Sequence, residues 1–250
     1  MLRTQMDGTK MTSVSAGIFD RIVELARDDS SARIKYERAP TPNICLKMTT
    51  HHHPWSVTEQ EFLHFGDFIR RHNLVSGFEL ATAFGISGTG AALGFKDTGG
   101  SLLTMDAYIE EKFNNAIGYT DLREVNLADP DGLASLRWLM STFDLQRVVS
   151  PTIGWSPDDV PRTVINTIGA QKKFDFVFLD AGHWDNAGIN DIAAIRPFVD
   201  IKKPFAFFIH DTSEFSEKFF GLFSELYGVP VKKIPGLKET WTMKVATNIT

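Results

Sequence analysis

Residues 76–94 read S-G-F-E-L-A-T-A-F-G-I-S-G-T-G-A-A-L-G. The run begins as a short apolar strand, passes Glu79, and opens through the small residues Ala81, Thr82, Gly85 and Ser87 into a helix. Small side chains let a ligand approach the backbone closely, and a helix N-terminus offers free N–H groups to an anionic part. A strand, a small-residue loop and a helix in that order suit a nucleotide-like cofactor.

Downstream the pattern alternates between strands and helices. Phe78–Ala81, Leu102–Met105, Arg147–Val149, Phe174–Leu179 and Phe205–Ile209 are short apolar runs separated by segments long enough for crossovers. F-D-F-V-F-L and P-F-A-F-F-I are nearly continuous in hydrophobicity, as expected of strands buried on both faces of a parallel sheet. Val229–Ile234 and Glu239–Val245, around P-G-L-K, predict a final antiparallel hairpin. The segment 107–144 is long for one crossover, and D-P-D-G-L-A-S-L-R-W-L-M makes only its second half helical, which leaves 107–128 as an insertion.

Upstream, Ile18, Ile22, Val23, Leu25 and Ala26 recur at helical spacing, and the proline-rich stretch 39–54 reads as loop. Ser56 caps a second helix, with Glu59 at the capping-box position and an apolar stripe of Phe62, Phe65, Phe68 and Ile69 that ends near His72. The division is therefore an N-terminal helical extension and loop over 1–72, followed by a cofactor-binding domain over 73–250.

Composition limits the function classes. The chain has 250 residues, 43% hydrophobic and 23% charged, enough for one sizeable core. A net charge of -5 supplies no overall basic footprint for nucleic acid. The single cysteine, Cys45, excludes an intrachain disulfide and a paired-cysteine metal site. The first residues lack the apolar stretch of a secretory signal and no run is long enough to span a bilayer, so a cytoplasmic location is expected. Oligomeric state is left open, a homo-oligomer included.

Ligands of open α/β sheets sit at the carboxyl ends of the strands. Collected there are residues 79–87, Asp106, residues 153–156, residues 180–183, and His210 with Asp211. Asp106 is placed to accept bonds from both hydroxyls of a ribose. A nicotinamide dinucleotide needs the strand to run straight into its glycines, and here Gly88 and Gly90 come late, which leaves an NAD(P)-dependent oxidoreductase as the alternative reading. The acid at Glu79 would repel a pyrophosphate but suits an amine or a cationic sulfonium, which favours S-adenosylmethionine. Asp180, His210 and Asp211 could coordinate a divalent cation: oxygen ligands favour Mg²⁺, and the histidine shifts the balance toward Mn²⁺, Fe²⁺ or Zn²⁺. His51, His52 and His53 are consecutive and form no preorganised site.

F-E-L-A-T-A-F-G-I-S, L-L-T-M-D, F-D-F-V-F-L-D-A-G-H-W and F-F-I-H-D-T, in that order over residues 76–212, resemble the successive motifs of class I S-adenosylmethionine-dependent methyltransferases. The likeness is greatest to the metal-dependent small-molecule O-methyltransferases of the catechol, caffeoyl-CoA and macrolide-sugar types. It implies a Rossmann-like fold with a mostly parallel seven-stranded sheet, helices on both faces and a C-terminal antiparallel hairpin. It also implies methyl transfer to an oxygen of a small molecule. By the resemblance, Glu79, Ala81, Thr82, Gly85 and Ser87 line the methionine end of the cofactor and Asp106 takes its ribose. Gly154, Trp155 and Ser156 lie where the adenine is held, and Asp180 borders both cofactor and metal. His183 resembles a general base, with His210 second in that role, and Asp180, His210 and Asp211 occupy the metal position. The family commonly has two acids, or an acid and an asparagine, where this chain has His210 and Asp211. A methyltransferase-like module that has lost catalysis is the remaining alternative.

Overall fold

The computed structural model describes residue 57 and residues 59–83, 85–107, 132–182, 184–234, 237 and 243–249. The expected helix over 18–26, the loop over 39–54, the Ser56 cap, nearly all of the 107–128 insertion, His51, His52, His53 and His183 lie outside the described residues.

Among the described residues, seven strands and six α-helices follow in the order α1 (Glu59–His72), β1 (Ser76–Leu80), α2 (Ile86–Thr98), β2 (Ser101–Asp106), α3 (Gly132–Thr142), β3 (Val149–Ile153), α4 (Val160–Ile168), β4 (Phe176–Leu179), α5 (Asp185–Ile195), β5 (Ala206–Ile209), α6 (Glu217–Tyr227), β6 (Val231–Lys233) and β7 (Lys244–Thr247). The sheet order is β3-β2-β1-β4-β5-β7-β6. Strands β1 to β5 are parallel, and β7 runs antiparallel to both β5 and β6. The expected hairpin is therefore present, with β7 inserted beside β5 and β6 at the edge. The strand order turns back at β1, with β2 added on one side and β4 on the other, which is the place where an open sheet of this kind leaves a ligand crevice.

One expectation needs correction. The third strand is Val149–Ile153, later than the expected Arg147–Val149. Pro151 argues against a strand because it has no N–H to donate, but β3 is an edge strand that pairs with β2 alone, so the missing donor leaves no partner unsatisfied.

Successive strand residues face opposite layers. Phe176, Phe178 and Phe208 join the core beneath α1, α2 and α3, whereas Val177, Leu179, Phe207 and Ile209 join the core beneath α4, α5 and α6. Burial on both faces explains the unbroken apolar runs. Phe65 of α1 sits edge-on to Phe176 and Phe208, with ring centroids 5.8 and 5.4 Å away.

Helix α1 reaches the sheet because α2 is thin. A Cβ at Gly90 would stand 2.8 Å from the Phe62 carbonyl oxygen, and one at Gly94 would stand 2.9 Å from the Gly66 carbonyl oxygen. These glycines set the distance between the two helices and thereby fix where α1 places its side chains. Among the described residues no helix is long and apolar enough to cross a membrane.

Two alanine substitutions separate packing from propensity. Gly90→Ala forces α1 off α2 and is expected to cost about 2 kcal/mol. Gly221→Ala, in exposed helix with nothing within 4 Å of the new methyl group, is expected to gain about 0.5–1 kcal/mol. Urea unfolding of both variants measures the two signs.

Candidate functional site

The β1–α2 loop is wound tightly. Ala81 (φ 70°) and Ala83 (φ 46°) are left-handed, a conformation that costs a non-glycine residue about 1–2 kcal/mol. Surrounding bonds hold it: Ala81 N–H donates to the Met105 carbonyl at 2.9 Å, Ala83 N–H to Asp106 Oδ2 at 2.8 Å, and Gly85 N–H to the Thr82 carbonyl at 2.8 Å. Gly85 is itself left-handed (φ 84°) at the α2 N-cap, where a Cβ would meet Leu136 Cδ1 at 2.7 Å. A strained loop of small residues at the mouth of a parallel sheet is a common setting for ligand contact. Thr82 Oγ1, buried within the loop, has no hydrogen-bond partner among the described residues.

Glu79 is 1% exposed and lies under α2. Its Oε1 accepts a 2.5 Å bond from Ser87 Oγ, and its Oε2 has no hydrogen-bond partner among the described residues. A Cβ at Gly88 would stand 2.6 Å from that Oε2, so Gly88 exists for the carboxyl group rather than for a cofactor phosphate. Burial pushes the Glu79 pKa up to about 8; the Ser87 bond opposes the rise, and the charges of Asp180 and Asp106 add to it. The Glu79 carboxyl is thus protonated near neutral pH in the ligand-free protein.

Across the switch point, Asp180 follows β4 and His210 follows β5. His210 is 2% exposed, and its Nδ1 lies 3.1 Å from Asp180 Oδ1 and 3.3 Å from Asp211 Oδ1. Its Nε2 faces Glu61 Oε2 of α1 at 3.6 Å. Burial works against the charged ring, but the facing carboxylates of Asp180, Asp211 and Glu61 outweigh it and hold the His210 pKa well above its ordinary value. Asp211 adopts a left-handed conformation (φ 47°) that turns it back toward the ring. The nitrogen–oxygen separations at Nδ1 also match the roughly 3.0 Å between neighbouring ligands of an octahedral ion bound at about 2.1 Å. Asp180, His210 and Asp211 each offer a ligand atom within 4.8 Å of the others, so the donor set fits a divalent cation.

At the end of β3, Gly154 is buried against Met105 and Asp159, and Trp155 is 41% exposed. Trp155 N–H donates to Asp159 Oδ2 at 2.9 Å, which anchors the turn and leaves the indole facing outward. Ser156 Oγ points inward and donates to the buried Asp191 of α5. Burial raises the Asp191 pKa to about 6 against the lowering effect of that bond.

The structure brings Glu79, Ala81, Thr82, Gly85, Ser87, Asp106, Asp180, His210 and Asp211 to one edge of the sheet, with Gly154, Trp155 and Ser156 at its β3 end. His183 lies outside the described residues. Sequence reasoning missed Glu61 and Asp191. Glu61 carried a signal, since it stands four and eight residues before Phe65 and Ile69 and so puts a charge on the buried stripe of α1. Asp191 carried none, because its partner Ser156 is 35 residues away.

No protein-family model matches the chain, and no curated protein matches its sequence. Solved structures do match its fold. An O-methyltransferase from Bacillus cereus in complex with S-adenosylhomocysteine superimposes with a TM-score of 0.55 at 14% identity, covering 78% of this chain and 84% of that one. The O-methyltransferase TomG from Streptomyces achromogenes, involved in tomaymycin synthesis and solved with S-adenosylmethionine, gives 0.55 at 12% identity over 78% and 82%. A Klebsiella pneumoniae protein provisionally described as an O-methyltransferase gives 0.55 at 13% identity over 96% and 97%. The architecture is the Rossmann-like class I methyltransferase fold.

The Glu79 environment makes a signed prediction. Its folded-state pKa lies above the unfolded value of 4.5, so the folded state holds the proton more tightly, and stability is lost as pH rises from about 4.5 to about 8. In the ligand-free protein, Glu79→Gln is expected to remove this dependence, giving a flatter melting-temperature profile over that range by scanning calorimetry.

Proposed function

We propose that this chain is an S-adenosylmethionine-dependent methyltransferase acting on an oxygen of a small-molecule substrate. The observation that carries the reading is the convergence of Glu79, Asp106 and Asp180 at the β1 switch point, around a small-residue loop. With Glu79 protonated, the carboxyl groups of Asp106 and Asp180 are what would repel a pyrophosphate and attract a cation there. Gly88 and Gly90 lie inside α2, where they accommodate Glu79 and Phe62, which removes the main support for a dinucleotide.

In this reading the loop 81–85 and Ser87 border the methionine end of the cofactor, and Asp106 accepts its ribose hydroxyls with the carboxylate that already orders the loop through Ala83. Trp155 offers its exposed face to the adenine, beside Gly154, and Ser156 holds the turn through Asp191. When bound, S-adenosylmethionine supplies an electrophilic methyl group on a cationic sulfur, so alignment of the nucleophile is the main task left to the protein. Asp180, His210 and Asp211 would hold a divalent cation, which when bound supplies Lewis-acid stabilisation of a substrate oxygen as its proton leaves. His183 is the proposed general base. His210 is second in that role, because the three carboxylates around it favour a ring that already carries a proton.

The cofactor domain spans 73–250 in this account, and the segment 1–72 with the 107–128 insertion supplies the substrate side. Small molecules rather than nucleic acid or membranes are the proposed partners, in keeping with the acidic balance, and the proposed location is cytoplasmic.

Isothermal titration of the full-length protein with S-adenosylmethionine tests the cofactor. Saturable binding is expected, and Asp106→Asn, which keeps an acceptor for the loop but loses the charge, is expected to weaken it about tenfold. Absence of binding at millimolar ligand by folded protein contradicts the reading. For the cation, Asp180→Asn and Asp211→Asn are each expected to lower Mn²⁺ affinity in equilibrium dialysis while leaving S-adenosylmethionine binding within a few-fold of the parent.

A further inference from the structure

The imidazole of His210 has two nitrogens, and only one of them faces Asp180 and Asp211. Nδ1 lies 3.1 and 3.3 Å from their carboxylate oxygens, and Nε2 points the opposite way into the base of α1. There it is buried, has no hydrogen bond within 3.5 Å among the described residues, and faces Glu61 Oε2 at 3.6 Å. Glu61 is itself 3% exposed, an unusual position for a carboxylate on the buried stripe of an amphipathic helix. The close α1–α2 contact through Gly66, Gly90 and Gly94 holds that helix at a fixed height above the sheet.

A neutral imidazole carries one N–H and one lone pair, so a ligand at Nδ1 requires the proton to be on Nε2. A buried N–H without an acceptor is costly, and histidine ligands generally donate their second N–H to a carboxylate, carbonyl or water. We infer that Glu61 is the positioning residue for His210: its carboxylate accepts from Nε2–H, which keeps the ring proton there and leaves the Nδ1 lone pair facing the Asp180–Asp211 site. The 3.6 Å separation lies beyond hydrogen-bond length, so the inferred bond requires a shift of a few tenths of an ångström. The arrangement links the segment before residue 73 to the chemistry of the sheet edge. It rests on the reading of Asp180, His210 and Asp211 as a divalent-cation site.

The test compares full-length parent, Glu61→Gln and Glu61→Leu by Mn²⁺ titration under electron paramagnetic resonance, with S-adenosylmethionine binding and circular dichroism measured on the same samples. Nitrogen-15 spectra of the histidines with Zn²⁺, a diamagnetic probe, read the tautomer directly. Glu61→Leu is expected to lose at least about tenfold in Mn²⁺ affinity. Glu61→Gln should lose less, since its carbonyl can still accept the Nε2–H hydrogen bond, and the Zn²⁺-loaded parent should carry the His210 proton on Nε2. A purely structural Glu61 would lower thermal stability in both variants yet leave the Mn²⁺ affinity of the folded fraction unchanged, and that result overturns the inference, as does a proton on Nδ1 in the loaded parent. If the parent binds S-adenosylmethionine but no Mn²⁺, the cation reading fails and this inference with it, while the cofactor reading stands.

Discussion

Four carboxyl groups, Glu79, Asp106, Asp180 and Asp211, gather at the carboxyl ends of the parallel strands, and keeping so many acids together in a partly buried place is the constraint around which the site is built. The sheet order β2-β1-β4-β5 makes them neighbours. Each is offset locally: Glu79 by protonation and the Ser87 hydroxyl, Asp106 by the Ala83 N–H, and Asp180 and Asp211 by the His210 ring. None of these devices removes the negative character of the crevice. A cationic sulfonium on one side of the switch point and a divalent cation on the other complement such a site, whereas a pyrophosphate would add to the repulsion.

The scaffold that holds these groups is assembled from thin contacts. Gly88 leaves space for a carboxyl group, and Gly90 and Gly94 leave space for a helix backbone. Glycine in a helix interior costs about 0.5–1 kcal/mol relative to alanine, and here that cost is offset by the close approach it permits. The result is a helix α2 buried along nearly its whole length, with α1 packed closely against it and directly on β4 and β5. From that position Glu61 of α1 faces His210 at the end of β5.

Much of this was legible in the residues. The apolar runs marked β1, β2, β4 and β5 because burial on both faces leaves no alternation to obscure them, and the acids after those runs marked the candidate site because ligands gather at strand ends. The third strand lies later than expected because Val149–Ile153 is an edge strand, only partly buried and interrupted by Pro151, and so leaves no continuous apolar run to read. The glycines were legible as small, but not as small for Glu79 and Phe62, since those contacts cross between elements. Glu61 was visible as a charge on an apolar stripe, yet its partner could not be read from 149 residues away (His210 against Glu61). The pairing of Ser156 with Asp191 has the same cause: tertiary contacts between polar groups leave no periodic trace.

The central claim is that the acidic edge receives a sulfonium cofactor over the β1–α2 loop and a divalent cation beside His210. A crystal structure of the full chain grown with S-adenosylhomocysteine and Mn²⁺, with data collected at the manganese edge, tests it most directly. The account predicts the amino-acid end of the ligand over residues 81–85, its ribose on Asp106 and its adenine beside Trp155, and an anomalous peak shared by Asp180, His210 Nδ1 and Asp211. A nucleoside bound elsewhere, or an anomalous peak away from those three residues, would contradict it.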